Sequence, residues 1–207
     1  EGSTLKFQKD TKEIGFTLDY MILTKGLTLE NLALGKPAAA DSSGQTYTAD
    51  KAVDGKIAGN ADFWIGGNKP SADSPNWLTV DLQGKSEIHS IEIALPDIQT
   101  WTPRTQEIRI LTSMDGADYQ EVSPKTSYEF KQGDEGNHNK YTVSFDQPME
   151  AAYVKVEIYS NTAGDVGQIG ELYVMGLPKG DEEQDSNLAL GKSVTVGGTG
   201  YGNGTNI

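Results

Sequence analysis

No cysteine occurs in this chain, so disulfides cannot staple it and no thiol nucleophile is available. Its stability must come from a packed core, helped at most by a bound metal. Secretion stays open, because disulfides are a signature chiefly of small secreted domains. Histidine is nearly as scarce, with two copies. His89 begins a strand-like segment and His138 lies in a polar loop, far apart and without metal-ligand spacing, so both read as solvated surface residues. Basic residues are outnumbered, 17 Lys and Arg against 30 Asp and Glu, for a net charge of −13. Such a surface repels phosphate backbones and anionic membranes unless a metal bridges the charges, whereas neutral sugars remain open as partners. No segment approaches the roughly 20 apolar residues of a membrane span. Neither a G-x-S-x-G elbow nor a phosphate-binding glycine loop is present. Among 30 acids nothing singles out a glycosidase-like carboxylate pair. Catalysis within this chain is therefore not expected. With Glu1 first and no apolar leader, any targeting segment is expected outside these residues.

The most informative positive feature is a repeat. NLALGK occurs at Asn31–Lys36, followed by Pro37, and again at Asn187–Lys192. A repeat at domain-sized spacing predicts modules in tandem. Between the copies, Leu78–Leu82, Ile88–Leu95, Ile108–Thr112, Tyr141–Phe145, Tyr153–Tyr159 and Ile169–Met175 are short and rich in β-branched and aromatic residues. Ile91, Ile93 and Leu95 alternate with Glu92 and Ala94, and Val154, Val156 and Ile158 alternate with Lys155 and Glu157. That period marks strands with one face in a core. Asp54-Gly55, Asp115-Gly116, Gly133, Gly136 and Pro148 supply turns. With no amphipathic helix in sight, the pattern predicts an all-β sandwich or barrel. Residues 1–26, with strand-like Thr4–Gln8 and Gly15–Leu23, read as the end of a preceding β-module. Two strands alone are marginal in water. Residues 27–177 form the complete domain, 178–186 a charged linker, and 187–207 the start of a second copy.

NLALGKP, Ala52-Val53-Asp54-Gly55, Trp64, NWLTVDL at Asn76–Leu82, SMDG at Ser113–Gly116, AYVKVEI at Ala152–Ile158 and IGELYVMG at Ile169–Gly176 follow one another in an order that resembles the discoidin, or coagulation-factor type C, domain. Carbohydrate-binding module family 32 belongs to that group. The resemblance implies a jelly-roll β-sandwich that binds without catalysis, usually a glycan, through loops at one end. Trp64 and Trp77 match core positions of the family. The segment ending GFTLDYMILTKG is similar to the last strands of family 6 or 35 carbohydrate-binding modules.

Two candidate sites follow. Asp50–Trp64 gathers acids and glycines in a loop, and calcium takes six to eight oxygens from carboxylates and turn carbonyls. Asp54 and Asp62 offer carboxylates, and Lys51 and Lys56 offer carbonyls. By the resemblance, Glu171 on the last strand completes the site. A solvated Asp-Gly turn with a half-exposed glutamate is the plain alternative. For ligand, Trp101 stands in a loop between prolines, free to meet a sugar face or to cap the sandwich. Arg104 beside it either forks two hydroxyls or braces the loop. Tyr47 on the first long loop, with Asn161 and Asp165 before the last strand, complete the set, ordinary turn chemistry being the alternative for the last two. No aromatic in Ser160–Gln168 and no histidine near Trp101 argue against galactose specificity. The expected function is a calcium-stabilised, non-catalytic module targeting a secreted, multidomain glycoside hydrolase to polysaccharide. The rival is a cell-surface adhesion or scaffold module for protein or phospholipid head groups. Linked modules are expected partners; nucleic acid and membrane are not.

Overall fold

The computed structural model of the protein describes residues 28–57, 61–96, 98, 100–131 and 139–178, all within one compact unit, Leu27–Glu183. The expectations placed on residues 1–26, on the linker past Pro178 and on 187–207 lie outside the described residues, as does His138. Among the described residues no α-helix forms. The strands are β1 (Glu30–Asn31), β2 (Ala38–Ala40), β3 (Trp64–Ile65), β4 (Asn76–Ala94), β5 (Arg104–Ser113), β6 (Tyr119–Phe130), β7 (Lys140–Asn161), β8 (Gln168–Ile169) and β9 (Glu171–Pro178), with a 3-10 turn at Ala49–Ala52. Every pairing is antiparallel.

Two long strands build both layers of a jelly-roll sandwich. The first half of β4, Asn76–Asp81, pairs with Ile158–Tyr153 of β7, while its second half, Ser86–Ala94, pairs with Ala151–Lys140. β2 flanks the first half of β4, and β5 and then β6 extend the layer beyond β7. β9 and then β1 flank the second half of β4. The register breaks between Asp81 and Ser86, where Gln83 and Gly84 take positive φ of 61° and 155°. That corner turns β4 from one layer into the other. Its residues Gln83–Lys85 are exposed, and buried positions resume beyond them. The inward face of each layer meets in one core. Leu78, Val80, Val154, Val156, Ile158, Ile108 and Ile110 come from the first; Ile88, Ile91, Ile93, Leu172 and Val174 come from the second.

The alternation of Val154, Val156 and Ile158 with Lys155 and Glu157 is present as expected. Other expectations need correction. Leu78–Leu82 and Ile88–Leu95 are parts of one bent strand. β6 escaped sequence reading because it is polar and carries Pro124. It is an edge strand paired only with β5, and there a proline's missing N–H costs no ladder bond. Ile169–Met175 is interrupted at Gly170, since Ile169 pairs with Trp64 and Glu171 with Ala94. A Cβ on Gly170 would meet the Pro96 nitrogen at 2.7 Å and the Ala94 oxygen at 2.9 Å. Pro178, read as the first residue of the linker, still pairs with Ser86. Trp64 is fully buried, its Nε1 donating to the Ser42 carbonyl at 3.0 Å. Trp77 is not core: out of phase with Leu78 and Val80, it lies half-buried on the outer face, with Lys155 Nζ 5.1 Å from its ring centre.

The repeated hexapeptide has a physical role in its first copy. The Asn31 Oδ1 accepts the Val174 N–H at 3.0 Å and the Ala33 N–H at 3.1 Å, fastening β1 to β9. Leu32 and Ala33 then enter the core. Gly35, at φ 66°, donates its N–H to the Val53 carbonyl at 2.6 Å. The Asn31→Ala variant should lose about 1–3 kcal/mol of unfolding free energy, the cost of orphaning the Val174 N–H. Denaturant titration measures this, and a loss within error of zero would remove the fastening role.

Candidate functional site

Strand polarity carries four loops to one end of the sandwich. β4 and β5 begin there and β7 ends there, Asn76 facing Ile158 and Gln106 facing Asn161. Residues 41–48, 66–75, 100–103 and 162–167 therefore converge, and cross-loop bonds tie several of them together. The Asp41 carboxylate accepts from the Trp77 N–H at 2.8 Å and from Asn76 Nδ2 at 3.2 Å. Gly66 N–H donates to the Gly167 carbonyl at 2.9 Å, and Gly67 N–H to Ser42 Oγ at 2.8 Å. Thr162 and Thr105 exchange two bonds, at 2.8 and 3.0 Å.

Beneath the loops lies a cluster of buried polar side chains: Asn76, Gln106, Gln168 and Arg104. Burial of polar groups is tolerated only when each finds a partner, and here they find one another. Gln106 clamps the backbone of residue 168, accepting its N–H at 2.9 Å and donating to its carbonyl at 2.9 Å. Asn76 Oδ1 accepts the Gly167 N–H at 2.8 Å. The Gln168 Oε1 accepts from Arg104 Nη1 at 2.6 Å and from Asn161 Nδ2 at 3.2 Å. Sequence reasoning missed Asn76, Gln106 and Gln168. Yet Asn76 shares the parity of inward Leu78 and Val80, and Arg104 and Gln106 that of inward Ile108 and Ile110, a signal that they point between the layers.

Above this cluster stand aromatic groups in contact. Phe63, 3% exposed, meets Tyr47 at 4.7 Å between ring centres and Trp101 at 5.1 Å, the latter edge-to-face. The Arg104 guanidinium lies 3.9 Å from the centre of the Trp101 ring. Tyr47 and Trp101 are half-buried, so each keeps part of its ring in solvent at the loop end. Arg104 is a brace. It is 6% exposed, its Nε and Nη2 both donate to the Thr102 carbonyl at 3.3 Å, and burial draws it below the ordinary arginine value. Asn161 also faces inward, donating to the Val166 carbonyl at 2.7 Å and accepting from Ala163 at 3.0 Å, which ties off its loop. Asp165 is exposed, at φ 54°, and pairs with Lys69 Nζ at 2.8 Å across the rim. Exposed pairs of this kind contribute little to stability.

The candidate metal loop, residues 49–57, packs against β9. Glu171 is fully buried and both its oxygens accept from the Gly55 N–H, at 3.1 and 3.2 Å. Asp54 Oδ2 is buried without a hydrogen-bond partner; the Lys51 and Lys56 amines stand 3.7 and 3.8 Å from it. The glutamate is thus not half-exposed. Burial pushes it up to about 7, the Gly55 bond pulls it the other way, and the negative charge of Asp54 adds to the rise. An orphaned carboxylate oxygen beside a buried second carboxylate suits a hard cation. Asp62 does not join them: no three His, Cys, Asp or Glu side chains gather for a metal among the described residues.

An all-β jelly-roll with its loops gathered over a polar cluster at one end defines the class. The F5/8 type C domain family matches residues 37–172, and the chain belongs to that family. Solved structures agree in fold. The family 32 carbohydrate-binding module of NanJ from Clostridium perfringens, in complex with galactose, is 24% identical. That match covers 72% of this chain and 98% of the module, with a TM-score of 0.53. Chitosan-binding module 1 of a chitosanase/glucanase from Paenibacillus sp. IK-5 is 22% identical, with coverages of 71% and 99% and a TM-score of 0.52. A pectin-binding carbohydrate-binding module is 18% identical, with coverages of 69% and 91% and a TM-score of 0.52. The comparison with curated proteins gives no match.

Glu171 has a consequence for pH. Unfolded chain releases its proton near the ordinary 4.5, the fold only near 7, so above 4.5 ionisation favours unfolding. In chelator, stability should fall as pH rises from about 4.5 to about 7 and then level off. In Glu171→Gln that slope should flatten. Denaturant titrations at several pH values decide this, and an equal slope in both proteins sinks the assignment.

Proposed function

We propose that the domain is a non-catalytic carbohydrate-binding module. The observation that carries this reading is the partly solvated Tyr47 and Trp101 rings on Phe63, set over buried amides at the loop end. Aromatic faces pair with the apolar face of a pyranose, and polar rim groups such as Asp165 and Lys69 answer its hydroxyls. Modules of the same fold, one in complex with galactose and others that bind chitosan or pectin, support a glycan as ligand. Within this reading Trp101 and Tyr47 touch the sugar, while Arg104 and Asn161 hold the loops. The module serves a larger, secreted glycoside hydrolase by keeping it on polysaccharide. A phospholipid role lacks support, because the exposed large hydrophobics among the described residues, Leu34 and Met114, stand singly on separate segments.

Calcium belongs to the same proposal. Asp54 and Glu171 would hold it with carbonyls of the loop, Lys51 and Lys56 included. The ion would neutralise two carboxylates that repel each other and tie residues 49–57 to β9. Its role is structural.

Trp101→Ala should abolish retention of the chain in affinity electrophoresis against pectin, chitosan or galactan while leaving the Tm within a few degrees. Unchanged retention on a polysaccharide that holds the parent protein would move the site elsewhere, and a collapsed Tm would make Trp101 core. Adding calcium to the chelated protein should raise the Tm by several degrees, and Asp54→Asn should erase the gain. No calcium-dependent shift in the parent protein removes the ion from the proposal.

A further inference from the structure

Gln168 occupies a position the binding reading does not use. It lies on the two-residue strand β8 and is 5% exposed. Its backbone is clamped on both sides by the fully buried Gln106 carboxamide, so the side chain starts from a fixed point. From there its Oε1 takes the Arg104 Nη1 at 2.6 Å, the shortest bond to that guanidinium. The other nitrogens, Nε and Nη2, meet the Thr102 carbonyl. Two acceptors at different edges of a planar group fix its plane. That plane lies 3.9 Å from the centre of the Trp101 ring. Among the described residues the acceptors that meet Arg104 are the neutral oxygens of Gln168 and Thr102.

We infer that Gln168 is a positioning residue that sets how Trp101 is presented at the loop end, acting through Arg104. The inference rests on the reading of Trp101 as the ligand platform and adds how that platform is held. The chain of contacts is Gln106 to Gln168, Gln168 to Arg104, Arg104 to the Trp101 ring, and the first two links are buried. Asn161 hangs on the same Oε1 at 3.2 Å, so one amide oxygen also sets the loop that carries Asp165. Removing that oxygen should release both sides of the site together. A carboxylate in its place keeps both acceptors.

The test uses the full chain with two readouts. In Gln168→Met, the Trp101 indole and Arg104 Nε–H resonances should shift, while the indole of buried Trp64 stays in place. Retention by whichever of galactan, pectin or chitosan holds the parent protein should weaken about tenfold, and in a Trp101→Ala background Gln168→Met should cost nothing further. Gln168→Glu should restore both readouts. The inference is overturned if the Trp101 resonance stays put in a folded Gln168→Met protein, or if the loss persists undiminished in the Trp101→Ala background. Should Gln168→Met fail to fold, Arg104→Lys, which keeps the charge and loses the fork, must shift the same indole resonance or the inference falls. If none of the three polysaccharides retains the parent protein, the glycan reading fails, while the resonances still decide whether Gln168 positions Trp101.

Discussion

The structure depends on two strands being long enough to serve both layers. β4 and β7 pair with each other twice, once on each side of the corner at Gln83 and Gly84. Because the strands are shared, the layers cannot slide past one another without breaking register along both, and a one-residue slip would turn Leu78 and Val80 outward. The same sharing sets the ends of the sandwich. Where β4 and β5 start and β7 stops, the connecting segments have nowhere to go but one common rim. The gathered loops are thus a by-product of the corner, and the chemistry above them follows from that geometry.

Two kinds of buried polar group sit near that rim, and they differ in how completely they are answered. The side-chain amides of Asn76, Gln106 and Gln168 meet partners at 2.6–3.2 Å, so their burial costs little and the bonds strengthen away from water. Arg104 keeps its charge by leaning on neutral oxygens and an aromatic face. The Asp54 and Glu171 pair is unlike these. One oxygen is orphaned and one carboxyl is driven toward neutrality. Satisfied polar groups specify shape, whereas unsatisfied ones call for something further, which the proposed calcium would supply at Asp54 and Glu171.

Much of the fold was legible because β-strands write their orientation into the sequence every second residue. Val154, Val156 and Ile158 gave the inward face directly, and Trp64 was rightly placed in the core. The same rule, applied to polar residues, would have turned Arg104 inward and Trp77 outward, but chemistry drew the eye before parity did. β6 was illegible because an edge strand need not be apolar and can carry Pro124 without penalty. Phe63, the ring that joins Tyr47 to Trp101, carries no sequence signal that sets it apart from its neighbour Trp64. Gly55 and Glu171 are joined across 116 residues, which no local pattern can reveal; only the family resemblance brought those segments together.

The fastening of β1 to β9 by Asn31 has a mechanical meaning. The pairing is antiparallel, with Glu30 opposite Gly176, so residues 28 and 178 leave the domain side by side, at the corner end. β9 starts at Glu171 near the loop rim and runs away from it, so these two ends lie opposite the rim. A tensile load applied through these two ends would peel β1 from β9 one hydrogen bond at a time, rather than shearing all of them at once. A pull through these two ends therefore strains the root of the domain before its loop end is disturbed.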